Sequence, residues 1–228
     1  IYLRRQRQER IRSLRKAKAQ RIGAESQQIE ARLQALQAQI EPHFLFNTLA
    51  HIVRLHQVDA RKGRSMLQSL TSYMRSALPQ MRQADCTLAR ELALTRSYVE
   101  VQQIRMGERL RVEVDVPAAL MEARVPAMTV LTLAENAVKH GLGPKREGGT
   151  LRIESSRNGD MLEVAVCDDG VGLQLGAGTG HGLSNTRSRL EAAYGARAAL
   201  AIENRPDGGV RAALLLPFAP VLPQEPVQ

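Results

Sequence analysis

The chain has 228 residues, 43% hydrophobic and 24% charged, a balance that supports a buried core and excludes a short peptide scaffold or a wholly disordered segment. Its net charge of +9 is local: residues 1–21 hold nine Lys/Arg and one Glu, while the rest hold 23 basic and 22 acidic residues, which argues against a nucleic-acid surface spread over the molecule. The most apolar run, Ala212 to Leu222, is broken by Pro217 and Pro220 and falls short of the roughly 18 residues needed to span a bilayer.

In chain order, Ile1-Tyr2-Leu3 and the basic residues after it read as the end of an upstream membrane segment with its positive-inside flank, drawn to anionic lipid headgroups. A solvated helix face and nucleic-acid contact are the other readings of such a run, though with no Trp and three Phe no stacking platform for single strands is evident. Ile29, Leu33, Leu36 and Ile40 have the spacing of a coiled-coil seam, and an ordinary amphipathic helix fits them equally. At Pro42 the pattern changes. The next apolar set, Leu45, Leu49 and Ile52, points roughly 160° away from that seam at ~100° per residue, so a kink or break is expected at the proline. His43, Asn47, Ala50 and Arg54 then share the opposite, wet face.

After an expected turn from Asp59 to Gly63, residues Met66, Leu67, Leu70, Tyr73, Met74, Ala77 and Leu78 predict a second amphipathic helix ending near Pro79. A helical hairpin of this size buries little, which predicts pairing with a second copy into a four-helix bundle. A third helix is expected from Leu88 to about Gln103. From Leu110 the period changes to two: Leu110/Val112/Val114/Val116, Leu151/Ile153 and Leu162/Val164/Val166 predict strands, as do Ala199–Ile202 and Val210–Leu216. Helices are predicted over Val125–His140 and Leu183–Tyr194. The fold class is therefore α+β: a helical hairpin followed by an α/β sandwich with helices on one face of a mixed sheet. The two cysteines, Cys86 and Cys167, give neither a disulfide framework nor zinc spacing.

Three clusters in the second half carry candidate chemistry. Glu135-Asn136-Ala137-Val138-Lys139-His140-Gly141 sets a carboxylate, an amide oxygen suited to Mg²⁺ and a cation suited to a phosphate near one helix end. Val166-Cys167-Asp168-Asp169-Gly170-Val171-Gly172 runs a strand into a carboxylate able to accept from adenine's exocyclic amine, with Gly170 and Gly172 admitting close backbone approach. Gly176, Gly178, Gly180 and Gly182 precede the Leu183 helix, whose N-terminus can cradle phosphates. Singly each is a weak signal: a helix end, a turn, a loop. A Walker loop is absent, and no Gly-x-Gly-x-x-Gly follows a strand.

The order and spacing of the three clusters resemble the N, G1 and G2 boxes of the GHKL superfamily, the Bergerat ATP-binding fold. Gln39-Ile40-Glu41-Pro42-His43-Phe44-Leu45-Phe46-Asn47-Thr48-Leu49 resembles the phosphoacceptor segment of LytS/YehU-type sensor histidine kinases. The likeness continues through Tyr98-Val99-Glu100-Val101-Gln102-Gln103-Ile104-Arg105-Met106-Gly107-Glu108-Arg109-Leu110, Gly178-Thr179-Gly180-His181-Gly182-Leu183-Ser184-Asn185 and Arg189-Leu190, and covers residues 29–216. Where that family often has Leu-Gln-Pro-Leu-Val, this chain has Val130-Leu131-Thr132-Leu133-Ala134, which removes an amide near the metal site.

The resemblance implies a homodimer at the cytoplasmic face of the inner membrane. It phosphorylates His43 from ATP with Mg²⁺ and passes the phosphoryl group to the aspartate of a response regulator, commonly one with a LytTR DNA-binding domain. It implies a basic juxtamembrane and coiled-coil linker (1–41), a dimerisation and phosphoacceptor hairpin (42–80), a helical linker (81–109), a GHKL domain (110–218) and a disordered tail (219–228). Glu135, Asn136, Lys139, His140, Asp168, Gly170, Gly172, Gly178, Gly180, Gly182 and Leu183 are the expected nucleotide-binding residues, with Asn136 on the metal. His43 is the expected nucleophile. Glu41 is the nearest sequence candidate to orient it, although two residues on a helix lie on nearly opposite faces. Asn47, one turn on, either orients a water for regulator dephosphorylation or bonds within the bundle. A catalytically weak ATP-sensing scaffold that docks a regulator is the alternative function.

Overall fold

The computed structural model describes residues 42–173 and 181–218. The basic residues 1–21, the Ile29–Ile40 seam, Glu41, Gly176, Gly178, Gly180 and the tail 219–228 lie outside the described residues. Two compact units, Ile1–Ala50 and His51–Gln228, divide the chain.

Pro42 opens helix α1 (Pro42–Val58). The kink or break expected at this proline turns on residues 1–41, outside the described residues. The stripe buried on α1 is Phe44, Thr48 and Ile52, not the expected Leu45, Leu49 and Ile52. Apolar residues stand on more than one side of α1, so periodicity alone could not choose the face. Thr48 can be buried because its hydroxyl donates to the Phe44 carbonyl at 2.7 Å. Phe46 and Val53 stay 70% and 62% exposed.

Helix α2 (Ala60–Gln80) follows after one residue. Asp59 is its N-cap, accepting from the Arg61 and Lys62 amides at 3.1 Å, so the expected five-residue turn contracts to a single capping residue. Gly63 is already helical, and a Cβ there would stand 2.9 Å from the His56 nitrogen. Met66, Leu70, Tyr73 and Ala77 form the buried stripe of α2, and Pro79 sits in its last turn.

Helix α3 (Leu88–Met106) is capped by Thr87, whose hydroxyl accepts from the Arg90 amide. Ahead of it, β1 (Asp85–Thr87) pairs antiparallel with β3 (Arg124–Pro126). This small sheet corrects the helix expected from Val125: Val125 and Pro126 are extended, and Met128 takes a left-handed φ of 68°. Only then does α4 (Thr129–Asn136) begin, and it ends in a π turn over Ala137–Leu142.

The main sheet has the order β2 (Leu110–Asp115), β4 (Gly149–Asn158), β5 (Met161–Asp168), β7 (Val210–Pro217), β6 (Ala199–Asn204). The β2–β4 pair is parallel and the others antiparallel. Registers Ile153↔Val166, Val164↔Leu214 and Leu162↔Leu216 put these side chains on one face, where they are buried with Leu94, Val130, Leu133 and Leu190 of the helices. The other face carries Arg211 beside Glu154, Glu163 and Glu203. This is the predicted α+β architecture, with helix α5 (His181–Tyr194) completing the helical layer. Its period-two strands turn one face to the helices, while the other carries these charged side chains around a small buried patch of Ala165, Cys167 and Ala213.

Candidate nucleotide site

Asp168 is the last residue of β5, 2% exposed. Its Oδ1 accepts from the Gly170 amide at 2.9 Å. Burial pushes this carboxyl above its ordinary range; the Gly170 and Val210 amides lower it, Asp169 raises it, and Arg205 lowers it. Desolvation is the largest of these influences, so the fold holds a carboxylate where ionisation is unfavourable. Space around it is made by glycine. A Cβ on Gly141 would collide with the Asp168 carboxylate, one on Gly170 with the Gly141 backbone, and one on Gly209 with the Asp168 carbonyl.

Those contacts join the first cluster to the second. The Val171 amide donates to the Gly141 carbonyl at 3.1 Å, so the π turn after α4 is stitched to the segment after β5. Gly172 takes φ 79°, and the next amide, on Leu173, donates to Asn204 Oδ1 at 2.8 Å. Arg205 donates to the Asp168 carbonyl at 3.0 Å. The β6–β7 turn therefore holds the Asp168 segment from one side and the π turn from the other.

Asn136 closes α4 with its Nδ2 donating to the Thr132 carbonyl at 2.9 Å. That bond uses the donor end of the amide and leaves Oδ1 as the end suited to a hard cation. Gly182, in the first turn of α5, lies over the same turn: a Cβ there would be 3.0 Å from Thr132 Cγ2 and 4.0 Å from Asn136 Nδ2. Leu183 follows, half-buried, and Lys139 and His140 are exposed on the π turn. Asn136, Gly182, Gly141, Asp168, Gly170 and Gly172 are thus linked into one region through α4 and its π turn. Glu135 turns elsewhere: it is half-buried and bonded to the Tyr73 hydroxyl of α2. Gly178 and Gly180 lie outside the described residues. In the segment expected to accept the phosphoryl group, His43 occupies the first described turn of α1, Asn47 is exposed, and Glu41 lies outside the described residues.

Lys145, Arg205 and Glu91 carry no signal in the sequence, and Asp169, Gly141 and Arg189 lie in the quoted motifs without an assigned role. Asp169 accepts from the Thr150 amide at 2.8 Å, and Lys145 donates to the Asp169 carbonyl at 2.6 Å. Gly141 was visible as the end of the first cluster, but not as the floor beneath Asp168. Arg205 carries no local signal. Glu91, fully buried on α3, accepts from the Met128 and Val130 amides at 2.6 and 3.0 Å and so caps α4. Arg189 of α5 donates to the neighbouring Ala127 carbonyl at 2.7 Å.

Residues 31–110 match the histidine kinase family, and residues 123–220 match the histidine kinase-, DNA gyrase B-, and HSP90-like ATPases. The sensor protein LytS of Enterococcus faecalis is 33% identical over 83% of this chain and 34% of its own length. Sensor histidine kinase YesM of Bacillus subtilis is 32% identical over 82% of this chain and 33% of its own. The sensor histidine kinase/phosphatase LytS of Staphylococcus aureus is 30% identical over 78% and 33%. The chain therefore spans about a third of the length of the curated relatives it matches. A solved histidine kinase domain from Erythrobacter litoralis superposes with a TM-score of 0.47 at 20% identity, over 75% of this chain and 85% of that one. With a histidine kinase match running directly into a GHKL-type ATPase match, and LytS-type sensors among its relatives, the chain belongs to the histidine kinase family.

Proposed function

We propose that this chain is the kinase portion of a two-component sensor that phosphorylates itself on His43 from ATP and passes the phosphoryl group to a response-regulator aspartate. The observation that carries the proposal is the buried Asp168 carboxylate, held among glycines and stitched to the turn that follows Asn136. A carboxylate in that position costs stability unless a ligand uses it. An adenine amine, which needs a charged acceptor and close backbone approach, is such a ligand.

The residues present also fit Mg²⁺. Asn136 offers one amide oxygen, and a cation held there takes its other oxygens from phosphate and water. When bound, the ion offsets charge on the triphosphate. Asp168 and the glycines fix the base, while Lys139 supplies positive charge toward the phosphates. The neutral imidazole of His43 attacks the γ-phosphoryl group: the N–P bond forms, the bond from phosphorus to the bridging oxygen breaks with its electron pair leaving on ADP, and the proton of the other ring nitrogen passes to water. Exposed Phe46 and Val53 on α1 support the four-helix dimer, since a second copy would cover them. Attachment to the cytoplasmic face of a membrane and a LytTR-type regulator complete the reading.

This proposal is tested by incubating the protein with γ-labelled ATP and Mg²⁺ and then adding a receiver domain. Label should appear on the protein and move to the receiver. A protein that binds ATP and takes no label would instead be the weak, scaffold-like form.

Asn47 gives the proposal a second activity. It stands one turn after His43 and is exposed, so both can face one incoming partner. A carboxamide offers a donor and an acceptor without adding charge beside a phosphoryl group. Asn47→Ala should keep autophosphorylation while slowing decay of the phospho-regulator about a hundredfold, the lower end of what one positioned general acid–base group contributes. Indistinguishable decay curves for mutant and wild type, measured with ADP present, would return Asn47 to a structural role.

A further inference from the structure

Glu135 was expected at the nucleotide and is found elsewhere. It leaves the last turn of α4, is half-buried, and meets the Tyr73 hydroxyl of α2, with Tyr98 of α3 close by. Tyr73 and Tyr98 are 1% and 3% exposed, and their ring centroids stand 6.0 Å apart at 57°. Gln102 Nε2 donates to the Tyr98 hydroxyl at 2.9 Å. Three helices thus contribute a phenol pair, an amide and a carboxylate to a seam beside which Met66, Leu70 and Ala77, on the same stripe of α2 as Tyr73, are buried. Apolar residues of equal volume would fill that seam without the cost of burying polar groups. Gln102 Oε1, also buried, has no partner among the described residues, so stability alone does not explain the cluster.

What the cluster does is fix the end of α4. Beyond Asn136 the chain enters a π turn, where the regular hydrogen-bond ladder gives way and side-chain tethers decide the direction of the backbone. Asn136 is locked to its own helix through the Thr132 carbonyl, so its Oδ1 points wherever that last turn points. Glu135 is the residue that ties this turn to α2.

We propose that Tyr73 is a positioning residue for the nucleotide site: by holding Glu135 it sets the last turn of α4, and with it the Asn136 amide oxygen, for metal–nucleotide binding. The inference rests on the reading of Asn136 as the metal-facing amide. It makes metal–nucleotide affinity depend on a side chain from α2, the helix that follows the one bearing His43.

The experiment is calorimetric titration of the full chain with ATP, once with Mg²⁺ and once with EDTA, so that the gain in affinity due to the metal is read separately from activity. Tyr73→Phe keeps the buried ring and removes only the hydroxyl. It should leave ATP affinity in EDTA within about twofold of wild type and reduce the Mg²⁺-dependent gain about five- to tenfold, less than the full worth of one hydrogen bond to a charged group because the bond reaches the metal only through the last turn of α4. Glu135→Ala should match it, the double variant should lose nothing further, and Glu135→Gln, whose amide oxygen still accepts from the phenol, should retain most of the gain.

An unchanged Mg²⁺ gain in Tyr73→Phe would overturn the inference. So would an equal loss with and without metal, because that is general loosening. If Tyr73→Phe does not fold, a Glu135→Ala protein with the wild-type gain overturns it in the same way. Asn136→Ala separates the two levels: if it keeps the Mg²⁺ gain, the reading of Asn136 fails and takes this inference with it, and if it alone loses the gain, only the positioning role fails.

Discussion

Asp168→Asn is expected to lose between about ten- and a hundredfold in ATP affinity, the equivalent of one hydrogen bond to a charged group, while its fold becomes no less stable. The two halves of that result have the same cause. Burial raises the Asp168 carboxyl above its ordinary range, so between its unfolded and folded values the native state binds more protons than the unfolded chain. Stability therefore falls as pH rises through that window, and at neutral pH the ionised carboxylate costs free energy. Asparagine removes the cost, keeps the shape and still accepts from the Gly170 amide through its oxygen. It cannot offer adenine a charge-assisted acceptor, and its NH₂ group can face adenine's own. Calorimetry with ATP, paired with thermal melts at pH 5 and pH 8, checks both parts. Wild-type affinity in the variant would sink the assignment of Asp168 to the base. A melting point lower than wild type at pH 8 would show that the carboxylate is structural instead.

The largest stability effect is expected at Glu91. Its carboxylate accepts from Met128, Val130 and, at 3.5 Å, Leu131, the amides that open α4 and that no helical carbonyl can satisfy. It also steadies Met128 in its left-handed conformation, φ 68°, which is unfavourable for a residue with a side chain. Glu91→Ala leaves these donors buried and unpaired, so a loss of roughly 3 kcal/mol is expected, or a melting point lower by about 6–12 °C for a unit of this size. Glu91→Gln keeps one acceptor oxygen and places an NH₂ against the remaining amides, so its loss should be intermediate. Equal denaturation midpoints for wild type and Glu91→Ala would show that α4 is held by packing alone.

Legibility in the sequence followed sequence distance. Val166-Cys167-Asp168-Asp169-Gly170 could be read because the strand, the carboxylate and the flexible residues are contiguous. The strand Leu162–Val166 could be read because Leu162, Val164 and Val166 recur at period two and turn to the helices, although Ala165 on the other face is buried as well. Glu91 could not, because its partners lie 37 to 40 residues away and nothing near it marks a carboxylate as a cap for another helix. Arg205 meets Asp168 across 37 residues for the same reason. The helix drawn from Val125 failed because Val125, Ala127, Val130 and Leu131 suit either period, while β1 and β3, at three residues each, are too short to show one. Glu135 was assigned to the nucleotide by its neighbour Asn136, although adjacent helical residues point about 100° apart. That rotation is enough to send one toward Gly182 and the other toward Tyr73.

The central claim, that His43 receives the γ-phosphoryl group of ATP, is tested most directly by labelling. Purified wild-type protein and His43→Gln are incubated with γ-labelled ATP and Mg²⁺, and the labelled protein is exposed to acid and to alkali. The account predicts label on the wild type that acid removes and alkali spares, as a phosphoramidate requires, and none on His43→Gln, with both proteins binding ATP equally. Undiminished label on His43→Gln, or label that survives acid, would contradict it.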